Sequence, residues 1–399
     1  MSMRIPQSNT GLNAAILQCS PPPAEGTWHR YQCTLVTPMY GGGVKAGEVD
    51  MGMPIRAAAI RGQLRFWWRI ACGPFPSSQE MFRQENAIWG GIGGSGATAS
   101  KVEVSLVCAP VEGNQLLSSN AETSAELKYA FGSAAINGAA HWLAPGYTFE
   151  LNLRYPEDVA VQVLDALKWW ATFGGVGART RRGFGAMHIE GVPSCVASDV
   201  AAKEGQLIFA GNPSPNAYAA WSLAINRLYS FRQRRGIGRG IGAARPGRSF
   251  WPEADQLRRF TGRNANGRHL AEHPAGNSFP RAAFGLPITF EFRGERADPP
   301  RMELQPSGNT DRMASPLILR PYWNGALWQS AALLLPGWEK ALTQGLKFKS
   351  NHHTPNHWPG DPGEQIRIAM SIRPMQSQNH EPRANDPLSA FMNYFNLGH

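Results

Sequence analysis

Three arginine-rich segments of this 399-residue chain have the residue types and spacing to hold a polyanion. In residues 54–69, PIRAAAIRGQLRFWWR, Arg61, Arg65 and Arg69 recur every four residues, and Arg56 precedes them. Residues four apart share one face of a helix, so the spacing predicts a cationic ladder beside a bulky apolar stripe. Guanidinium groups in such a row make charge-assisted bonds to phosphates and stack on bases. A solvated charged face is the plainer reading of a stripe like this. Two features favour binding: the segment contains no Asp or Glu, and Gly62 interrupts the helical pattern at a cost of about 1 kcal/mol against Ala, as a close approach to the backbone would require. Trp67 and Trp68 are assigned to packing.

Residues 174–185, GGVGARTRRGFG, place Arg179, Thr180, Arg181 and Arg182 among the glycines Gly175, Gly177 and Gly183. Glycines permit φ > 0 and leave room beside the backbone, and successive exposed amides make an anion-binding concavity to which arginines add charge. A plain glycine-rich turn does not account for three arginines without an acidic neighbour. The third segment, 227–268, holds Arg232, Arg234, Arg235, Arg239, Arg245, Arg248, Arg258, Arg259 and Arg263 against only Glu253 and Asp255. It reads as a flexible basic loop that orders on RNA. Phe250, Trp251 and Phe260 within it are either stacking partners or anchors to the core, and the sequence leaves both open.

The whole chain agrees with these segments. Its formal charge is +10 with a pI near 9.6, as expected of a protein that meets nucleic acid. With 42% apolar residues it has enough for two cores. The five cysteines are scattered without a CxxC pair, which points to reduced thiols in the cytoplasm, and no cofactor or metal site is expected. His352, His353 and His357, with Asp361 nearby, have no ligand spacing and read as a solvated loop. Residues 90–96 lack the GK[ST] ending of a phosphate-binding loop, and the alternating glycines 236–242 follow no strand, so neither is a nucleotide motif. No stretch is apolar for the roughly 20 residues a membrane span needs.

The elements that position these segments follow from periodicity. Residues 31–36, 102–106, 149–153 and 187–189 alternate as strands, and 55–72, 79–89 and 157–173 carry helical stripes. That order, β-α-α-β-β-α-β, predicts an α+β fold with an antiparallel sheet and helices on one face, ferredoxin-like in its simplest form. Residues 1–27 read as a mobile N-terminus and 28–195 as the first domain. A poorly patterned stretch at 192–215 marks the boundary of a second α+β domain, 205–399, with a helix at 217–231, strands at 286–292, 316–322 and 331–335, and a terminal helix at 387–397.

The glycine-rich loop resembles the signature of the RAMP superfamily, a glycine pair, five residues and a second glycine pair. Together with TPMYGGG, IRGQLRFWWR, GRSFWP and FGLPITF, in this order from about Thr34 to Arg320, it resembles the family of first-numbered subunits of the Cmr complex, the type III-B CRISPR effector. The resemblance implies two ferredoxin-like (RRM-type) domains and a non-catalytic subunit that caps the effector near the guide RNA 3′ region and helps capture target RNA. It implies contact with the terminal backbone subunit and the small helical subunit. The RNA-binding residues the three segments point to are Arg56, Arg61, Gly62, Arg65, Arg69, Gly175, Gly177, Arg179, Thr180, Arg181, Arg182, Gly183, Arg234, Arg235, Arg239 and Arg248. The alternative is a RAMP endoribonuclease that processes guide precursor, for which His29 and His188 are the placed acid–base candidates.

Overall fold

The computed structural model describes residues 26–397 except 44–46, 94–95, 119–124, 133–140, 242–246, 268, 293–297, 350–354 and 356–357. The expected mobile N-terminus, Arg245 and the three C-terminal histidines therefore lie outside the described residues. The fold is α+β, with antiparallel sheets and helices packed on them.

The first sheet is built from β1 (Trp28–Leu35), β2 (Glu103–Cys108), β3 (Thr148–Arg154) and β4 (Met187–Ile189). Their order across the sheet is β2-β3-β1-β4, all antiparallel, as two interlocked β-α-β units produce. Helices α1 (Ala57–Ala71) and α3 (Ala160–Phe173) supply the crossovers and pack on each other, while α2 (Ser78–Trp89) follows α1. The stripes read from sequence are the buried ones. Ile60, Leu64, Trp67 and Trp68 of α1 and Val163, Leu167, Trp170 and Phe173 of α3 join the core with Phe149, Leu151 and Leu153 of β3. Trp67 lies against Trp169 and Phe173 with ring centroids 6.3 and 6.2 Å away, so the tryptophans are packing residues as expected.

The stretch 192–215 is not the unpatterned linker the sequence suggests. It contains a short helix, Ala197–Ala201, and β5, Gln206–Ser214, which opens the second sheet. With β6 (Leu317–Trp323) and β7 (Trp328–Leu334) the order is β5-β7-β6. This repeats three of the four positions of the first sheet; among the described residues no fourth strand pairs beside β5. The second sheet is buried on both faces. Leu317, Leu319, Ala332 and Leu334 pack with α4 (Ala217–Gln233), whereas Ile318, Tyr322, Ala331 and Leu333 enter the core of the first half. Continuous apolar sequence in β6 and β7 follows from that double burial.

The basic run 227–268 is also more ordered than its composition suggests. Helix α4 continues to Gln233, and α5 (Glu253–Thr261) packs Leu257 beside a third sheet of Ile288–Phe290, Met302–Pro306 and Leu346–Phe348. Helix α6 (Pro362–Ser371) precedes α7 (Pro387–Leu397), which buries Leu388, Phe391, Tyr394 and Phe395 against the second core as expected of a docking helix.

Candidate nucleic-acid interface

The arginine ladder of α1 forms, but its charges are matched from outside the segment. Glu85 of α2 is fully buried and accepts from Arg65 Nε at 2.6 Å and from Arg69 Nε and Nη2, both at 2.8 Å. Arg65 also donates to the Gly90 carbonyl at 3.2 Å, and Arg61 to that of Trp89. Burial alone would raise the Glu85 pKa; the bonds from Arg69 and Arg65 outweigh it and hold the carboxyl below its ordinary value. Three arginines thus fasten α2 to α1, and the expectation that they lack an acidic partner is corrected. Arg56 is paired as well, its Nη2 donating to Asp50 at 3.0 Å. Gly62 is exposed and nothing lies within 4 Å of where a Cβ would stand, so nothing among the described residues makes the close approach expected there from sequence.

The glycine-rich loop lies at the seam between the two sheets. Thr37, buried just past β1, donates its hydroxyl to the Gly183 carbonyl at 2.6 Å and accepts from the Ala186 N–H at 2.9 Å. Phe184 inserts into the second core beside Trp221, whose Nε1 donates to the Arg182 carbonyl at 2.7 Å. Gly183 has φ +75°, and a Cβ there would stand 2.5 Å from the Leu319 carbonyl oxygen. From the second sheet, buried Arg320 donates to Gly174 at 2.7 Å, Met187 at 3.2 Å and Pro321 at 3.0 Å, all through carbonyl oxygens. Burial pulls its pKa down to about 9, which leaves it charged at neutral pH.

The loop arginines divide by partner. Arg181 lies over Phe66 of α1, 5.7 Å from the ring centroid, and donates to the Ser315 carbonyl. Its contact brings the loop to α1. Arg182 is half-buried, its Nη1 is enclosed without a hydrogen-bond partner among the described residues, and burial lowers its pKa to about 10. Arg179 takes a left-handed φ of 60° beside exposed Gly177, and its guanidinium makes no hydrogen bond or ion pair among the described residues. Gly177 has φ +78°, where a Cβ would meet the Tyr40 carbonyl oxygen at 2.6 Å, while the Ala178 N–H donates to that carbonyl at 2.7 Å.

In the third segment, carboxylates neutralise much of the charge. Arg248 and Arg258 both bond Asp255, at 2.8 and 3.0 Å, and Arg258 also reaches Asp298. Arg281 pairs with buried Glu253 at 3.0 Å. Trp251 is buried with its Nε1 donating to the Arg232 carbonyl, and Phe260 packs on Phe279 and Phe348, so both are anchors. Arg239 borders this region, with Nη1 donating to the Gly247 carbonyl at 3.3 Å. Arg234 and Arg235, at the end of α4, are exposed and make no side-chain bond among the described residues.

Of the arginines named as RNA-binding, Arg234 and Arg235 after α4 are exposed and Arg179 on the loop is half-buried, and none of these three has a side-chain hydrogen bond or ion pair among the described residues. Thr37 and Arg320 hold the loop that carries Arg179, Glu85 holds Arg65 and Arg69, and none of the three was singled out by sequence. Arg320 carries the one local signal, a lone charge inside an apolar strand. His29 and His188 are not brought together: His29 pairs with Leu153 and His188 with Thr34, roughly 16 Å apart along the sheet. His29 stacks on Tyr155, and His188 packs against Trp323 and Trp328. Among the described residues no His, Cys, Asp and Glu side chains cluster as a metal site, and no helix is long and apolar enough to cross a membrane.

Residues 32–188, from β1 through the loop to β4, match the RAMP superfamily model. This segment, well under half of the chain, is similar to the RAMP superfamily. The CRISPR system Cmr subunit Cmr1-1 of Pyrococcus furiosus is 27% identical over 154 residues, 37% of this chain and 44% of that relative. The match therefore spans less than half of the relative's length. Among solved structures, apo Cmr1 from Pyrococcus furiosus is similar with a TM-score of 0.44 at 16% identity, covering 81% of this chain and 98% of the other. A chain of the type III-B Cmr-beta complex bound to cognate target RNA has a TM-score of 0.42 at 9% identity, covering 78% of this chain and 94% of the other.

Proposed function

We propose that this chain is a RAMP protein and a non-catalytic RNA-binding subunit of a type III-B CRISPR effector, standing where Cmr1 stands in its relatives. The single observation that supports this most is the RAMP loop itself, held rigidly at the seam with Gly177 exposed and the Arg179 guanidinium uncommitted. An RNA strand crossing the loop meets a cation and a side-chain-free stretch of backbone, which suits contacts blind to base sequence. The open face of α1 at Gly62 continues that path. Arg56, Arg61, Arg65, Arg69, Arg181, Arg182 and Arg248 then act mainly by holding the surface in shape, and Arg234 and Arg235 extend its charge. In this reading both halves are ferredoxin-like modules, the second reduced to three paired strands. The subunit caps the complex near the guide 3′ region, touches the terminal backbone and small helical subunits, and helps capture target RNA.

The test is equilibrium binding of labelled single-stranded RNA to the purified chain, with parallel incubation to detect cleavage. Saturable binding without cleavage is expected, weakened about tenfold in Arg179→Ala, since a charge-assisted contact is worth about 1.5–3 kcal/mol. Cleavage that disappears in His188→Ala or His29→Ala would instead establish the nuclease reading.

A further inference from the structure

The C-terminal segment, which carries no part of the RAMP match, builds a pocket of its own. Residues 376–382 fold into a tight turn: Gln376 bridges Pro382, the Ser377 N–H donates to the Glu381 carbonyl at 2.7 Å, and the His380 N–H to that of Ser377 at 3.1 Å. Between this turn, α7 and the Gly236–Ile237 backbone lies an open cavity of about 320 Å³. Arg373, Gln376, Ser377, His380, Arg383 and Tyr394 line it, with no carboxylate in its wall.

The wall is prepared for a planar, anionic ligand. Arg373 lies over the Phe250 ring, 5.1 Å from its centroid, and Arg383 lies over Tyr394, also at 5.1 Å. A guanidinium held over an aromatic ring keeps N–H groups for an acceptor, and Arg383 also donates its Nε to the Gln376 carbonyl at 2.8 Å. Arg373 is exposed and has no ion pair among the described residues. The Ser377 hydroxyl is buried without a partner. His380 is held exposed at a left-handed φ of 62°, a conformation that a non-glycine residue adopts at a cost, and its ring is a stacking surface. Arg234 and Arg235 immediately precede the Gly236 wall.

We propose that this pocket holds one nucleotide of a single-stranded RNA, with the phosphate on Arg373 and the Ser377 hydroxyl and the base against His380. The volume sits near the lower end of ligand pockets, about 300–1,000 Å³, and suits a single nucleotide. An acidic peptide would use the cations but leave the exposed imidazole without a role. The proposal rests on the RNA-binding reading above and adds a second, separate anchoring point.

The experiment uses the full chain and a uridine 20-mer carrying 4-thiouridine, irradiated and mapped by mass spectrometry, with affinities from anisotropy. Adducts are expected within residues 373–383. Arg373→Ala with His380→Ala should weaken binding about tenfold and lower the salt slope by about 0.7, one phosphate contact for single strands. If RNA binds and depends on Arg179, but no adduct falls in 373–383 and the double variant binds normally, the pocket is overturned while the loop interface stands. If a polyglutamate peptide, rather than RNA, is displaced from the pocket by these substitutions, the pocket serves a protein and the proposal is likewise overturned. Failure of the wild-type chain to bind any RNA would overturn both readings, and it would show in the anisotropy before any variant is compared.

Discussion

Glu85 has no exposed surface and holds two arginines of α1, with oxygens 2.6–2.8 Å from their nitrogens. Removing its charge would leave both guanidinium groups facing a neutral amide in a partly dry seam. Breaking a buried pair from one side costs about 3–5 kcal/mol, and since Arg65 and Arg69 remain partly solvated the lower end applies. Glu85→Gln should therefore destabilise the chain by about 3 kcal/mol in denaturant at neutral pH. The carboxyl is held below its ordinary pKa, so its contribution is present above the unfolded value and is lost as pH falls through the lower, folded one. The gap between wild type and Glu85→Gln should accordingly close in acid; a gap independent of pH would refute the ion-pair account. Arg61→Ala with Arg65→Ala should lower the melting temperature, because those side chains tie down the end of α2 at Trp89 and Gly90. Gly177→Val should cost both stability and RNA affinity, since φ +78° and the Tyr40 carbonyl leave a side chain no place.

At the scale of elements, Arg320 shows how the second sheet is joined to the first. Its partners are carbonyl oxygens of Gly174 and Met187, the two ends of the loop region. Arg320→Met would fit the volume but strand two buried carbonyls, at about 1–3 kcal/mol for an unsatisfied group. A loss of about 2–4 kcal/mol in chemical denaturation is expected, and an unchanged midpoint would show that the seam does not depend on this residue. The helices α1 and α3 were legible because each buries one face and presents the other to solvent, which stamps a 3.6-residue period on the sequence. Strand β5 was missed because it runs against β7 alone and bulges after Ala210, so its alternation is broken. Helix α5 was missed because its inward face is Glu253, Asp255 and Gln256 as well as Leu257, and polar burial leaves no apolar period.

Over the whole molecule, the net charge of +10 favours a polyanionic partner without naming the residues that would meet it. The glycine-rich loop was visible as a site because its composition is local. Which arginines remain uncommitted was not, because Glu85 lies 20 residues from Arg65 in sequence and the Ser315 carbonyl lies 134 from Arg181. Pairing by residues so distant leaves no trace within a window. The seam carries the glycine-rich loop, the second sheet buttresses it, and half-buried Arg179 has no ion-pair partner among the described residues. The measurement closest to that claim is RNA affinity as a function of salt for wild type and Arg179→Ala, with a thermal melt of each. A straight, steep fall of log affinity with log salt is expected, its slope reduced by about 0.7 in the variant with melting unchanged. A flat dependence, or an Arg179→Ala variant that melts early and keeps the wild-type slope, would contradict the account.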